Sequence, residues 1–99
     1  MSSRPGTERV VRLFKALGNE ARLDILTALE HGDLTVSGLV EATGMSQPLV
    51  SQHLRVLKTA HLVAGTRAGK EVVYSLADHH VAHAVGDAFT HVIEGDDHV

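Results

Sequence analysis

The chain has 99 residues, enough for one domain and too few for two, so it buries only a modest core, and pairing with a second copy is a common remedy at this size. It contains no cysteine, which excludes disulfides and thiolate metal ligands, and its apolar runs fall far short of the roughly 20 residues a membrane helix requires. No charged-then-apolar leader opens it, so a cytoplasmic protein with no membrane partner is expected.

The first helix is predicted from Thr7 to Leu17, with Val10, Val11, Phe14 and Leu17 along one side and Gly18 as its stop. A second follows at once, capped by Asn19, carrying Leu23, Ile25, Leu26 and Leu29, and ended by Gly32. Thr35 caps a short third helix with Val36, Leu39 and Val40, which Gly44 terminates. "MSQPLVSQHLRVLKTA" starts a fourth, with Ser46 as its cap and Pro48 in a first turn whose N–H groups lack helical partners in any case. After Leu62 the period changes, and "LVAGTRAGKEVVYSL" reads as a β-hairpin with arms near residues 63–66 and 71–76 around "RAGK". Asp78 then caps a closing helix whose Val81, Val85, Ala88, Phe89 and Val92 draw one apolar stripe toward a core. The order predicts a mainly α fold with a small β-hairpin, a winged helix-turn-helix over residues 7–94, with 1–6 a flexible start and 95–99 a tail.

Charge divides along the same line. The formal net charge is −3, but residues 45–70 contain no acid and carry Arg55, Lys58, Arg67 and Lys70, with His53 and His61 beside them. Residues 71–99 reverse the balance, with Glu71, Asp78, Asp87, Glu94, Asp96 and Asp97 and no lysine or arginine. One surface for an anion and another for cations is the implication. On the fourth helix Val50, Leu54 and Leu57 share a face, and Gln47, Ser51, Arg55 and Lys58 share the opposite one. Short polar side chains early in a helix, with cations further along, suit a DNA major groove. Candidate DNA contacts are therefore Ser46, Gln47, Pro48, Ser51, Gln52, His53, Arg55, Arg67 and Lys70, with Gln47, Ser51 and Gln52 assigned to base edges and Arg55 to phosphate. His53 fits either role or a half-buried position. Arg67 and Lys70, at the hairpin tip, fit the DNA backbone or the minor groove, or an ordinary charged turn.

These residues resemble those of a known family. "VSQHLRVLKTAHLV" is similar to the recognition helix and exit of the ArsR/SmtB family of bacterial metal-responsive repressors, "RAGKEVVYSL" to its wing, and "LFKALGNEARLDIL" to its opening helices. The resemblance implies a homodimeric winged-helix repressor whose two recognition helices address an inverted-repeat operator in double-stranded DNA.

The closing helix poses its own question, because residues 78–94 hold four of the eight histidines. His80 and His91, eleven residues apart, differ by about 20° around a helix but stand about 16 Å apart along it. Zinc holds its ligands at about 2 Å, so one helix cannot bring both to one ion, whereas an antiparallel second copy sets His80 level with His91 of its twin. Glu94 lies one turn beyond His91 on the same side, and Asp78 precedes the helix and is free of its period. The expected chelate is Asp78 and His80 from one subunit with His91 and Glu94 from the other. A D-x-H, ten-residue, H-x-x-E pattern is also similar to the last-helix site of the zinc-responsive members of the family. Zn(II) suits such a nitrogen and oxygen set, with Co(II) or Ni(II) as alternatives.

His79 and His83, four apart, have chelating spacing but stand outside that quartet and read as surface or supporting groups, and His98 is not read as a ligand. Gly86 is either a point of close helix approach in the dimer or a tolerated flexible spot. The resemblance further implies that the metal-free dimer represses, that loading releases DNA and frees an export or resistance gene, and that His91 donates its second ring nitrogen to the backbone carbonyl at His61. Thr35, Val36 and Ser37 stand where some members carry cysteines, which excludes a thiolate site there. Two rival readings remain: a winged-helix regulator responding to a non-metal signal, and a zinc hydrolase. "HHVAH" lacks the glutamate of an HExxH motif and no nucleophile motif appears, which argues against the hydrolase; no enzyme is expected.

Overall fold

The computed structural model describes residues 4–96 and places five helices and a small sheet in the order α1 (Thr7–Leu17), α2 (Glu20–Glu30), β1 (Leu34–Thr35), α3 (Val36–Thr43), α4 (Gln47–Thr59), β2 (Val63–Ala68), β3 (Glu71–Leu76) and α5 (His79–Asp96). Local chemistry sets the helix starts. Asn19 accepts from the Arg22 N–H at 3.0 Å, Thr35 Oγ1 from Gly38 at 3.1 Å, Ser46 Oγ from Leu49 at 3.4 Å and Asp78 Oδ1 from Val81 at 3.1 Å. Each supplies an acceptor to a first-turn donor that has no partner within the helix. Gly44 ends α3 in the left-handed region at φ 76°, where a side chain would be strained.

Ile25, Leu26 and Leu29 of α2, Leu39 of α3, Val50, Leu54 and Leu57 of α4, Leu62, Val63, and Val81 and Val85 of α5 form one core, closed on one side by Ala16. Helix α1 is held to α2 by this contact and by Arg22, whose Nε donates to the Ala16 carbonyl at 2.7 Å. A guanidinium at the end of α1 satisfies a carbonyl that has no helical donor and suits the negative end of the helix dipole.

The hairpin is one part of a three-stranded antiparallel sheet in the order β1-β3-β2. Strands β2 and β3 pair from Val63 with Leu76 to Ala68 with Glu71, so β2 runs two residues beyond the expected arm, and β1 adds Leu34 opposite Tyr74 and Thr35 opposite Val73. Gly65 faces Tyr74, and a Cβ there would stand 2.9 Å from Val72 Cγ1, so only glycine leaves room for the neighbouring side chains of β3. The wing is thereby fastened to the turn between α2 and α3.

Three further observations bear on the expected ends and faces. Residues 4–6 form a turn, with Thr7 N–H donating to the Arg4 carbonyl at 3.0 Å, while the remainder of the expected flexible start lies outside the described residues. Helix α5 runs through Asp96, past Glu94 where the domain was expected to end, and the rest of the tail, with His98, lies outside the described residues. The apolar stripe of α5 does not face the core along its whole length: Phe89 and Val92 are exposed, as is the neighbouring Ile93, with Val92 and Ile93 at 60%. On α1, Val10, Val11 and Phe14 are exposed too, Phe14 at 65%. Only Val81 and Val85 of the α5 stripe are buried.

Candidate nucleic-acid interface and metal centre

On α4 the partition of residues follows from the helical period. Val50, Leu54 and Leu57 are buried, which turns Gln47, Ser51, Gln52, Arg55 and Lys58 to solvent on the other side. Pro48 sits in the first turn, and the Ser46 hydroxyl is engaged as the cap, so its contribution at this end is to hold the helix start. His53 departs from the outward set: it is half-buried, and its Nδ1 is buried without a hydrogen-bond partner among the described residues. The ring is therefore partly embedded in the protein. Arg67 and Lys70 are exposed at the far end of the hairpin, where Gly69 takes φ 66° in a two-residue connection of the kind that suits strand twist. A polar helix face and two cations on a projecting hairpin form one continuous charge pattern in sequence, with no acid from residue 45 to residue 70.

The end of α4 is unusual. His61 is the one non-glycine residue with positive φ, 61°, among the described residues. Its N–H donates to the Lys58 carbonyl at 3.0 Å and that of Leu62 to Leu57 at 2.9 Å, the two bonds that close a helix through a left-handed residue. Such a conformation costs a non-glycine residue about 1–2 kcal/mol, and burial of Leu62 immediately afterwards offsets it. The Ala77 N–H donates to the Leu62 carbonyl at 3.0 Å, pinning the exit of α4 to the entry of α5. His61, Asp78 and His80 consequently line one groove of about 410 Å³, whose opposite wall is α1 with Arg9, Arg12 and Leu13.

The four candidate ligands fall into two half-sets. Asp78 and His80 lie at the start of α5, and His91 and Glu94 in its last turns, all of them exposed. Asp78 Oδ1 caps the helix, which leaves Oδ2 of the same carboxylate for a metal. The His80 ring lies against His79 with centroids 4.2 Å apart. Among the described residues no three His, Asp or Glu side chains converge within the single chain. Two imidazoles and two carboxylates are a donor set that fits a borderline divalent cation. Gly86 lies beside α2 of its own chain, where an added Cβ would stand 3.5 Å from Glu30 Oε1, an ordinary contact, so nothing within the chain requires glycine there.

Comparison with known proteins decides the lineage of this arrangement. The family model for bacterial regulatory proteins of the arsR family matches residues 19–64. The repressor SmtB of Mycobacterium tuberculosis is 49% identical over 82 residues, covering 83% of this chain, which spans 61% of that protein's length. The regulator NmtR of the same species is 48% identical over 83 residues, covering 84% of this chain and 69% of that protein. The chain belongs to the ArsR/SmtB family. A solution structure of a homodimeric winged helix-turn-helix DNA-binding domain from Mycobacterium bovis superposes with a TM-score of 0.91 at 33% identity, covering 100% of this chain and 94% of that one.

The ArsR family match runs from the cap of α2 into β2 and stops short of α5. The helix-turn-helix is thus what the family model describes, and all four candidate ligands lie outside it. At the third helix, Thr35 is spent as a cap, and neither Val36 nor Ser37 supplies a thiolate in this member of the ArsR/SmtB family.

Proposed function

We propose that the protein is a metal-sensing transcriptional repressor that acts as a homodimer. The metal-free dimer binds an inverted-repeat operator through α4 and the β2–β3 wing, and Zn(II), or secondarily Co(II) or Ni(II), held between the two α5 helices lowers DNA affinity and derepresses metal efflux or resistance genes. The observation that carries this reading is that the exposed apolar side chains of α5, Phe89, Val92 and Ile93, share the helix with two ligand half-sets too far apart to serve one ion alone. An antiparallel pair of such helices completes the quartet, Asp78 and His80 of one chain meeting His91 and Glu94 of the other, while the apolar side chains, centred on the other side of α5 at about 100° per residue, offer a separate face to a second copy.

The tie between Ala77 and Leu62 supplies the route from one site to the other. His61 and His80 line one groove, so the partner's His91 brought level with His80 would have the His61 main-chain carbonyl nearby as an acceptor for its second ring nitrogen. A bound imidazole is commonly anchored by its other N–H in this way. Loaded quartets then fix the position of α5 against the end of α4, and half-sites about 34 Å apart tolerate little change in recognition-helix spacing. When bound, the ion contributes Lewis acidity toward four fixed donors and no chemistry on a substrate. The assembly is a switch rather than a catalyst.

Zinc titration of the metal-free protein on a fluorescently labelled operator, taken from the DNA preceding its own gene, tests the proposal. The wild type is expected to lose affinity about 5–150-fold, the ordinary range of such coupling. His80→Ala and His91→Ala are expected to bind DNA as tightly as the metal-free wild type and to show no zinc response. Asp78→Asn retains an acceptor for the cap and removes the ligand charge, so it should fold normally and respond weakly. Unchanged zinc release in both histidine variants would overturn the assignment. A regulator of this fold that answers a non-metal signal would leave operator affinity indifferent to zinc in the wild type as well.

A further inference from the structure

We infer that His79 and His83 form a second metal-binding site, contained within one chain and separate from the quartet, for a borderline divalent cation such as Zn(II). Both side chains are exposed, one turn apart, with ring centroids 5.7 Å from each other and planes inclined at 71°. A zinc–nitrogen bond of about 2.1 Å and a nitrogen lying about 1.2 Å from its ring centre place each centroid about 3.3 Å from a shared ion. Two such rings at the tetrahedral angle stand about 5.4 Å apart, so the observed spacing needs a closure of only about 0.3 Å for the pair to act as a bidentate ligand. Water fills the remaining positions.

The pair is distinct from the quartet by its direction. At about 100° per residue, His79 and His83 centre about 90° around α5 from His80 and His91, and about 160° from the buried Val81 and Val85. They point away from the core and need no second copy. The positive end of the helix opposes a cation here, and two acids offset it: Asp78 at the cap and the exposed Asp87, one turn beyond His83. No lysine or arginine occurs from residue 71 onward to repel an ion. The contact of the His79 and His80 rings joins the two sites edge to edge, so an ion on the pair lies beside one half of the quartet.

The test uses the full chain, stripped of metal and titrated with Zn(II) alone, followed by calorimetry and by the NMR signals of the imidazole ring protons. In His80→Ala/His91→Ala, zinc is expected to shift the ring signals of His79 and His83 together. His79→Ala/His83→Ala is expected to bind one ion fewer per chain than the wild type while still releasing operator DNA on zinc addition. Ring signals of His79 and His83 that stay put in the first variant, or an unchanged stoichiometry in the second, would overturn the site. Failure of the repressor reading appears differently: the wild type keeps its DNA at every zinc concentration while the two ring signals still move.

Discussion

Helix α4 and helix α5 are both amphipathic, yet they use their faces in opposite ways. In α4 Val50, Leu54 and Leu57 of the apolar stripe are covered within the chain, Val50 and Leu57 completely, and what remains outside is mainly polar or cationic, with Leu49 and Val56 exposed at 38% each. In α5 the covered part ends at Val85, and the outer half carries Phe89, Val92 and Ile93 into solvent next to His91 and Glu94. A helix with a satisfied core face and a polar outer face is finished as a monomer and ready for a hydrophilic partner. One with apolar residues left over is half of an interface. On the proposed reading, the contrast separates a reading element from an assembling one within a chain of 99 residues.

The contrast breaks most severely where the two helices share a core. Leu57→Ala removes a side chain with no exposure and is expected to cost about 2–5 kcal/mol, a large part of the stability of a domain this small, lowering the melting temperature and abolishing both DNA binding and dimerisation. Phe89→Ser should spare the monomer fold, since that ring is 44% exposed, and weaken self-association by about 2 kcal/mol, read by sedimentation equilibrium. If association is unaffected, α5 is not the assembling element. Arg55→Ala should leave stability and association alone, lower affinity for all DNA sequences alike, and reduce the salt dependence of binding by about one counterion. The smallest effect is expected for Gly86→Ala, which should raise thermal stability by up to about 1 kcal/mol, because within the chain the added methyl meets only the Glu30 carboxylate at ordinary contact distance.

Much of this arrangement is written in short-range chemistry. The four caps Asn19, Thr35, Ser46 and Asp78 and the stops Gly18 and Gly44 are legible because a side-chain oxygen or a missing Cβ acts within three or four residues of its position. The face of α4 is legible for the same reason. Strand β1 is not, since Leu34 and Thr35 are too few to show a period and owe their conformation to Tyr74 and Val73 forty residues away. Nor does periodicity tell which molecule covers a stripe. Val10, Val11 and Phe14 recur at helical spacing just as core residues do, and only the packing of Ala16 against the core leaves them outside. His53 is the converse case: a polar residue in a basic stretch whose ring nitrogen turns out to be enclosed. The candidate ligands were legible as a pattern because helical geometry alone forbids one chain from using all four on one ion.

The left-handed turn at His61 has an experimental consequence. If the signal from the sensing helix arrives at a main-chain oxygen, replacing that imidazole with nearly any other group leaves the message intact, and a scan that trims side chains passes over the position in silence. Proline is the exception: its ring holds φ near −65°, so it cannot adopt the 61° that aims this peptide, and it also removes the N–H that binds Lys58. A residue can thus be indispensable to communication while its identity counts for little, and only a change in backbone shape exposes it.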